Sequence, residues 1–131
     1  MLTDFYRIVD HSVIPAENAA GDQTLAKSVF TVALNPDHPV YKGHFPGNPV
    51  VPGICQVQII KELVSLILQK EVFLFRSDNI KFLSMMVPSQ ITSLTIHIDI
   101  RKSEQDQWVV NAIISNDQQV FIKFKGVFRQ V

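Results

Sequence analysis

Gly53-Ile54-Cys55-Gln56-Val57-Gln58-Ile59-Ile60-Lys61-Glu62-Leu63-Val64-Ser65-Leu66-Ile67-Leu68-Gln69 is the stretch that decides the fold. It is too long for a typical strand and reads as a helix. Apolar residues at Ile54, Val57, Ile59, Ile60, Leu63, Val64, Leu66, Ile67 and Leu68 occupy most of its circumference, so burial on several sides is expected. Gln58, Glu62, Ser65 and Gln69 follow one another at spacings of four, three and four, which puts them on one helical face.

The chain on either side alternates instead. Downstream, Leu94, Ile96, Ile98 and Ile100 alternate with Thr95, His97, Asp99 and Arg101, the pattern of a half-buried strand. Turn residues over Ser103 to Gln107 lead to a second strand, Trp108 to Ile114. Asn116-Asp117-Gln118 is a tight turn before a third, Val120 to Phe128. A shorter strand is expected over Asn79 to Leu83, before Pro88. Upstream, Thr24 to Leu34 reads as a strand with some slippage of period. One buried helix with a run of antiparallel strands is α+β. Each strand offers one apolar face, so the economical arrangement is a sheet curled around the helix.

Composition bounds the rest. The 131 residues include 12 Lys+Arg and 12 Asp+Glu, with 47% apolar and 18% charged. That suits one globular domain over residues 1–131 and argues against a disordered chain. Balanced charge argues against a nucleic-acid partner. Cys55 is the one cysteine, so no intrachain disulfide can form and a reducing compartment fits. No apolar run reaches the ~18 residues of a membrane span. Met1-Leu2-Thr3-Asp4 shows no signal-peptide pattern, so a cytoplasmic protein is expected.

Pro36, Pro39, Pro46, Pro49 and Pro52 crowd into one segment with Gly43, Gly47 and Gly53. It reads as a long irregular loop of restricted shape, and such loops are often functional. Within it, Gly43-His44-Phe45-Pro46-Gly47-Asn48-Pro49-Val50-Val51-Pro52-Gly53-Ile54 places a histidine on a stiff turn that feeds the helix. Histidine titrates near neutrality and passes protons. The first N–H groups of a helix lack internal partners and carry the positive end of its dipole. A missing side chain at Gly53 is expected to let a carbonyl oxygen approach them. A base beside such donors is what enolate chemistry at a thioester needs.

The string from His44 to Gly53, HFPGNPVVPG, resembles the signature of the β-hydroxyacyl-acyl-carrier-protein dehydratases of the hot-dog fold superfamily. Val87-Pro88 after Ile80-Lys81-Phe82, and the closing strands, are also similar to that family. The resemblance implies an antiparallel sheet wrapped around one long helix, working as homodimers or trimers of dimers with an acyl tunnel at each dimer interface. It implies His44 as the base and the Gly53 N–H as the group polarising the thioester carbonyl. Phe45, Pro52 and Ile54 are expected to contact substrate. Acyl carrier protein or coenzyme A would carry the acyl chain, and no cofactor is implied.

The family also places a Glu or Asp fourteen residues after the histidine, on the helix of the other subunit. Here that position is Gln58, and Glu62 lies where the family usually has Gln. An amide cannot give a proton to a leaving hydroxide. Three readings follow. Glu62 acts from its new position, or through a water held by Gln58. His44 makes both proton transfers while Gln58 orients the hydroxyl. Or the chain binds acyl groups without dehydrating them, as a subunit paired with an active homologue. A hot-dog thioesterase using Gln58 and Glu62 is a further alternative. The bland account is that Gln58 and Glu62 simply pair at i and i+4.

Other residues carry less. Cys55 reads as a small buried apolar residue more than as a nucleophile. His38 and His97 read as structural or surface groups, and His11 lies in a weakly patterned segment. No spacing suggests a metal site. Lys123, Lys125 and Arg129, with Arg101 and Lys102, suit either a basic patch for an acidic carrier protein or protection of an exposed edge strand.

Overall fold

The computed structural model describes residues 4–15, 24–43, 47, 49–91 and 93–131. Among them are β1 (Tyr6–Pro15), β2 (Thr24–Leu34), the short α1 (Val40–Gly43), α2 (Gly53–Leu68), β3 (Val72–Phe82), β4 (Leu94–Glu104), β5 (Gln107–Ser115) and β6 (Val120–Gln130). The strands form one antiparallel sheet in the order β1-β2-β4-β5-β6-β3. The expected α+β architecture is present.

Alternation builds the inner face. Leu94, Ile96, Ile98 and Ile100 of β4 are buried, as are Trp108, Val110, Ala112 and Ile114 of β5. They join Phe30 and Val32 of β2, Phe124 and Phe128 of β6, and Cys55, Ile59, Ile60, Leu63 and Val64 of α2 in one apolar cluster. α2 buries a broad arc, with Val57, Ile67 and Leu68 partly buried against the same core, while Ile54 and Leu66 are 80% and 51% exposed. The helix ends at Gln69, which adopts a left-handed conformation (φ 54°) with its N–H on the Ser65 carbonyl.

Three strand readings need correction. β1 lies in the segment that sequence patterning left unassigned. β3 begins at Val72, seven residues before the expected Asn79. β6 pairs with both β5 and β3, so it is an interior strand. Lys123 and Lys125 therefore project from the sheet's outer face and do not guard an edge. The edges are β1 and β3, and β3 with the chain just beyond it exposes Phe73, Phe75, Phe82, Leu83 and Met85.

Candidate functional site

α2 starts at Gly53, with Pro52 as its N-cap and, among the described residues, no side chain capping the end. The Pro52 carbonyl accepts from the N–H groups of Cys55 and Gln56 at 3.0 and 3.2 Å. Beside this helix start lies a cavity of about 450 Å³ lined by Val50, Val51, Gly53, Gln56 and the segment 82–86. Its wall is held by the Val51 N–H, which donates to the Met86 carbonyl at 2.8 Å. The side-chain space at Gly53 is filled. A Cβ built there would lie 2.7 Å from Cζ of Phe82. The Phe82 ring, itself 54% exposed, thus packs onto the space that the missing side chain leaves. The cavity reaches the helix start from the side of segment 82–86.

The polar stripe lies further along the helix. Gln58 Nε2 donates to Glu62 Oε2 at 2.9 Å, so the i, i+4 pairing anticipated from spacing is made. Sequence patterning did not show that Tyr6 joins it: its hydroxyl donates to Glu62 Oε1 at 3.0 Å. Burial, the Glu62 charge and this hydrogen bond together raise the Tyr6 phenol above its ordinary range. Gln58, Glu62, Ser65 and Gln69 line a groove of about 780 Å³ together with Tyr6, Ile8 and Lys61.

The placement of Tyr6 follows from its neighbours. Phe5 is fully buried, its ring 5.1 Å from that of His38 and 5.8 Å from that of Tyr41. The Asn35 N–H donates to the Phe5 carbonyl at 2.9 Å, and Asn35 Nδ2 to the Asp4 carbonyl at 2.9 Å. Residues 4 and 5 are thereby clamped to the end of β2, and Tyr6 is delivered to Glu62.

Of the residues expected from sequence, the structure joins Gln58 to Glu62 and sets Gly53 at a different cavity. His44 and Phe45 lie outside the described residues. Pro52 is half-buried at the helix start, and neither it nor Ile54 lines either cavity. Cys55 is buried and its thiol is pushed up by that burial, as befits a packing residue. Two polar groups near the motif were not anticipated. Gln56 is 3% exposed, with Nε2 reaching the Val51 carbonyl at 3.4 Å and Oε1 finding no partner among the described residues. The buried Tyr41 hydroxyl is likewise unpaired there, and burial and the Cys55 thiol push it up to about 12. His38 Nδ1 accepts from the Val40 N–H at 3.1 Å and His11 stacks on Phe30 at 3.8 Å, both structural contacts. Arg129 is also engaged, lying 3.4 Å over the Phe75 ring and donating to Gln107 Oε1. Among the described residues, no group of three His, Cys, Asp or Glu is placed to hold a metal, and no helix is long and apolar enough to cross a membrane.

A family model described as ApeI-like, ApeI dehydratase, matches residues 20–125. The chain belongs to the ApeI-like dehydratase family. Its membership agrees with curated relatives described as 3-hydroxyacyl-acyl-carrier-protein dehydratase FabZ. The relative from Rickettsia massiliae is 26% identical over 97 residues, covering 68% of this chain and 66% of that protein, just under two thirds of its length. The one from Rickettsia felis is 26% identical over 107 residues, covering 76% and 71%. Solved structures place the fold among hot-dog proteins. An uncharacterized protein from Erwinia carotovora subsp. atroseptica has TM-score 0.74 at 18% identity, covering 100% of this chain and 98% of that one. The dehydratase heterocomplex ApeI:P from Xenorhabdus doucetiae has TM-score 0.63 at 16% identity, covering 95% and 97%. A hexameric acyl-CoA thioesterase has TM-score 0.55 at 15% identity, covering 80% and 69%.

Proposed function

We propose that this dehydratase-family chain removes water from 3-hydroxyacyl thioesters of acyl carrier protein, giving trans-2-enoyl thioesters. The observation that carries the reading is the uncapped start of α2 at Gly53, opening beside an apolar-walled cavity of about 450 Å³. In this reading the Gly53 N–H donates to the thioester carbonyl oxygen and stabilises the charge that develops there. His44 takes the proton from C2. The electron pair forms the C2–C3 double bond as the C3–O bond breaks. Gln58 holds its amine on Glu62, so its Oε1 is an acceptor that orients the substrate hydroxyl and donates no proton. His44 then passes the proton it took to the departing hydroxide, and water leaves. The polarity of the Gln58–Glu62 contact favours this account over one in which Glu62 is the acid.

Gly53 and the Gln58–Glu62 pair line different cavities of one chain. In this reading a complete site draws its helix face from a second hot-dog subunit. The unpaired β3 edge, with Phe73, Phe75 and Phe82 exposed, is the surface suited to that pairing. A copy of the same chain is one partner and a homologous subunit is the other; the similar ApeI:P structure is a dehydratase heterocomplex.

A second reading, thioester hydrolysis, draws on the same contact, because an amide acceptor beside a carboxylate can order an attacking water. Dehydration leaves the thioester intact and hydrolysis frees a thiol. The test is turnover of a 3-hydroxyacyl carrier-protein thioester by wild type, His44→Ala and Glu62→Gln. Loss of dehydration in His44→Ala supports the first reading; equal rates in all three reject it.

A further inference from the structure

Tyr6 lies outside every motif the sequence offered, 56 residues from the carboxylate it meets. Its phenol donates to Oε1 of the Glu62 carboxylate and the Gln58 amine to Oε2. An amide has two orientations about its last torsion. Only the one that turns NH₂ toward a carboxylate makes a hydrogen bond there, since a carboxylate accepts and does not donate. That orientation leaves carbonyl oxygen on the opposite side of Gln58.

We infer that Tyr6 is a positioning residue: it fixes the Glu62 carboxylate, through it the amide of Gln58, and so decides that an acceptor stands where the related dehydratases carry an acid. The inference rests on the dehydratase reading for its consequence, and on the two contacts alone for the orientation. Tyr6 is suited to the task because its backbone is fixed by the buried Phe5 ring and the Asn35 clamp. Its hydroxyl stays protonated, and so a donor, across the range in which the reaction would run. Without it, the Glu62 side chain loses its bond to the clamped start of β1.

The test has a kinetic arm and one that needs no turnover. Tyr6→Phe removes a single oxygen and keeps the ring. On a 3-hydroxyacyl carrier-protein thioester it is expected to lower kcat about tenfold with little change in KM, the size of one charge-assisted hydrogen bond. In a Gln58→Ala background the same change is expected to cost nothing more, because Tyr6 acts through Gln58. Separately, the Gln58 side-chain amide protons, followed by NMR in nitrogen-15-labelled protein, are expected to exchange slowly in wild type and faster in Tyr6→Phe. Glu62→Gln serves as a second variant: an amide at position 62 lets Gln58 turn, and exchange again speeds up. Unchanged amide exchange in both variants overturns the inference. Additive kinetic losses overturn it as well. If wild type dehydrates no 3-hydroxyacyl thioester while amide protection still depends on Tyr6, the positioning role stands and the dehydratase reading falls.

Discussion

Exchanging residues 58 and 62 builds the arrangement that the family resemblance implies, and the contacts here say what it should do. In the Gln58→Glu, Glu62→Gln double variant both the Tyr6 bond and the bond between positions 58 and 62 keep a partner. The Tyr6 hydroxyl donates to the new amide oxygen at the site now 3.0 Å away. The amine at position 62 donates to the new carboxylate across the present 2.9 Å. Only the direction of that second bond reverses, so the fold and its stability should be kept. What changes is that the group facing the hydroxyl can now carry a proton. General acid catalysis is worth about 10²–10⁴-fold, and the lower end is expected on a scaffold that evolved without it. The prediction is a rise in kcat of about 10²-fold, followed as formation of the conjugated enoyl thioester by ultraviolet absorbance. Gln58→Glu alone should behave differently. Two charges 2.9 Å apart repel by about 6 kcal/mol even at an effective dielectric near 20, so the pair retains a proton and the fold loses stability. A double variant no faster than wild type, or a single variant with unchanged Tm, would refute the reasoning.

Gly126→Ala would drive a Cβ to 3.0 Å from the Arg76 carbonyl on the paired strand, which cannot move aside as a side chain can. It is expected to cost about 1–3 kcal/mol, read as a Tm lowered by roughly 5–10 °C. Gln56→Met removes the buried oxygen that has no partner among the described residues and loses only a long 3.4 Å contact. A stabilisation of about 1 kcal/mol in urea unfolding is expected, and a loss would mean that Oε1 has a partner in solution. Tyr6 and Tyr41 are both raised in the folded protein, Tyr41 from 10.0 to about 12. The unfolded chain therefore gives up these protons first as pH climbs. Both contribute full stability below pH 10, and Tyr41's share is lost between there and about pH 12. Tm measured across that window should fall less steeply in Tyr41→Phe and Tyr6→Phe than in wild type.

Burial on one side made much of this fold readable. Leu94 to Ile100 alternate because one face of β4 meets α2, and β2 and β5 announce themselves for the same reason. The edge strands did not. β1 has no clean inner face: from Arg7 to Ile14 every residue is exposed, so no alternation marks it. β3 carries Arg76-Ser77-Asp78-Asn79 at its middle and shifts register at two places against β6, which hid its first half. Chain order also misled. β3 lies outside β6, so Lys123 and Lys125 belong to an interior strand that sequence adjacency cannot reveal. At the site, spacing was enough to pair Gln58 with Glu62, because the helix itself sets that contact. Tyr6 was invisible, since only the folded sheet brings β1 to the helix. At Gly53 the helix starts as expected, and the Phe82 ring that packs on its missing side chain comes from a strand end no local pattern could place there.

Everything turns on whether water leaves a 3-hydroxyacyl thioester at this site. Incubating the protein with a 3-hydroxyacyl carrier-protein thioester and weighing the intact acyl carrier by mass spectrometry reads that directly. The account predicts loss of one water from a carrier that keeps its acyl chain, abolished by His44→Ala. A carrier stripped to its free thiol, or one unchanged after prolonged incubation with the protein and any homologous partner subunit, would contradict it.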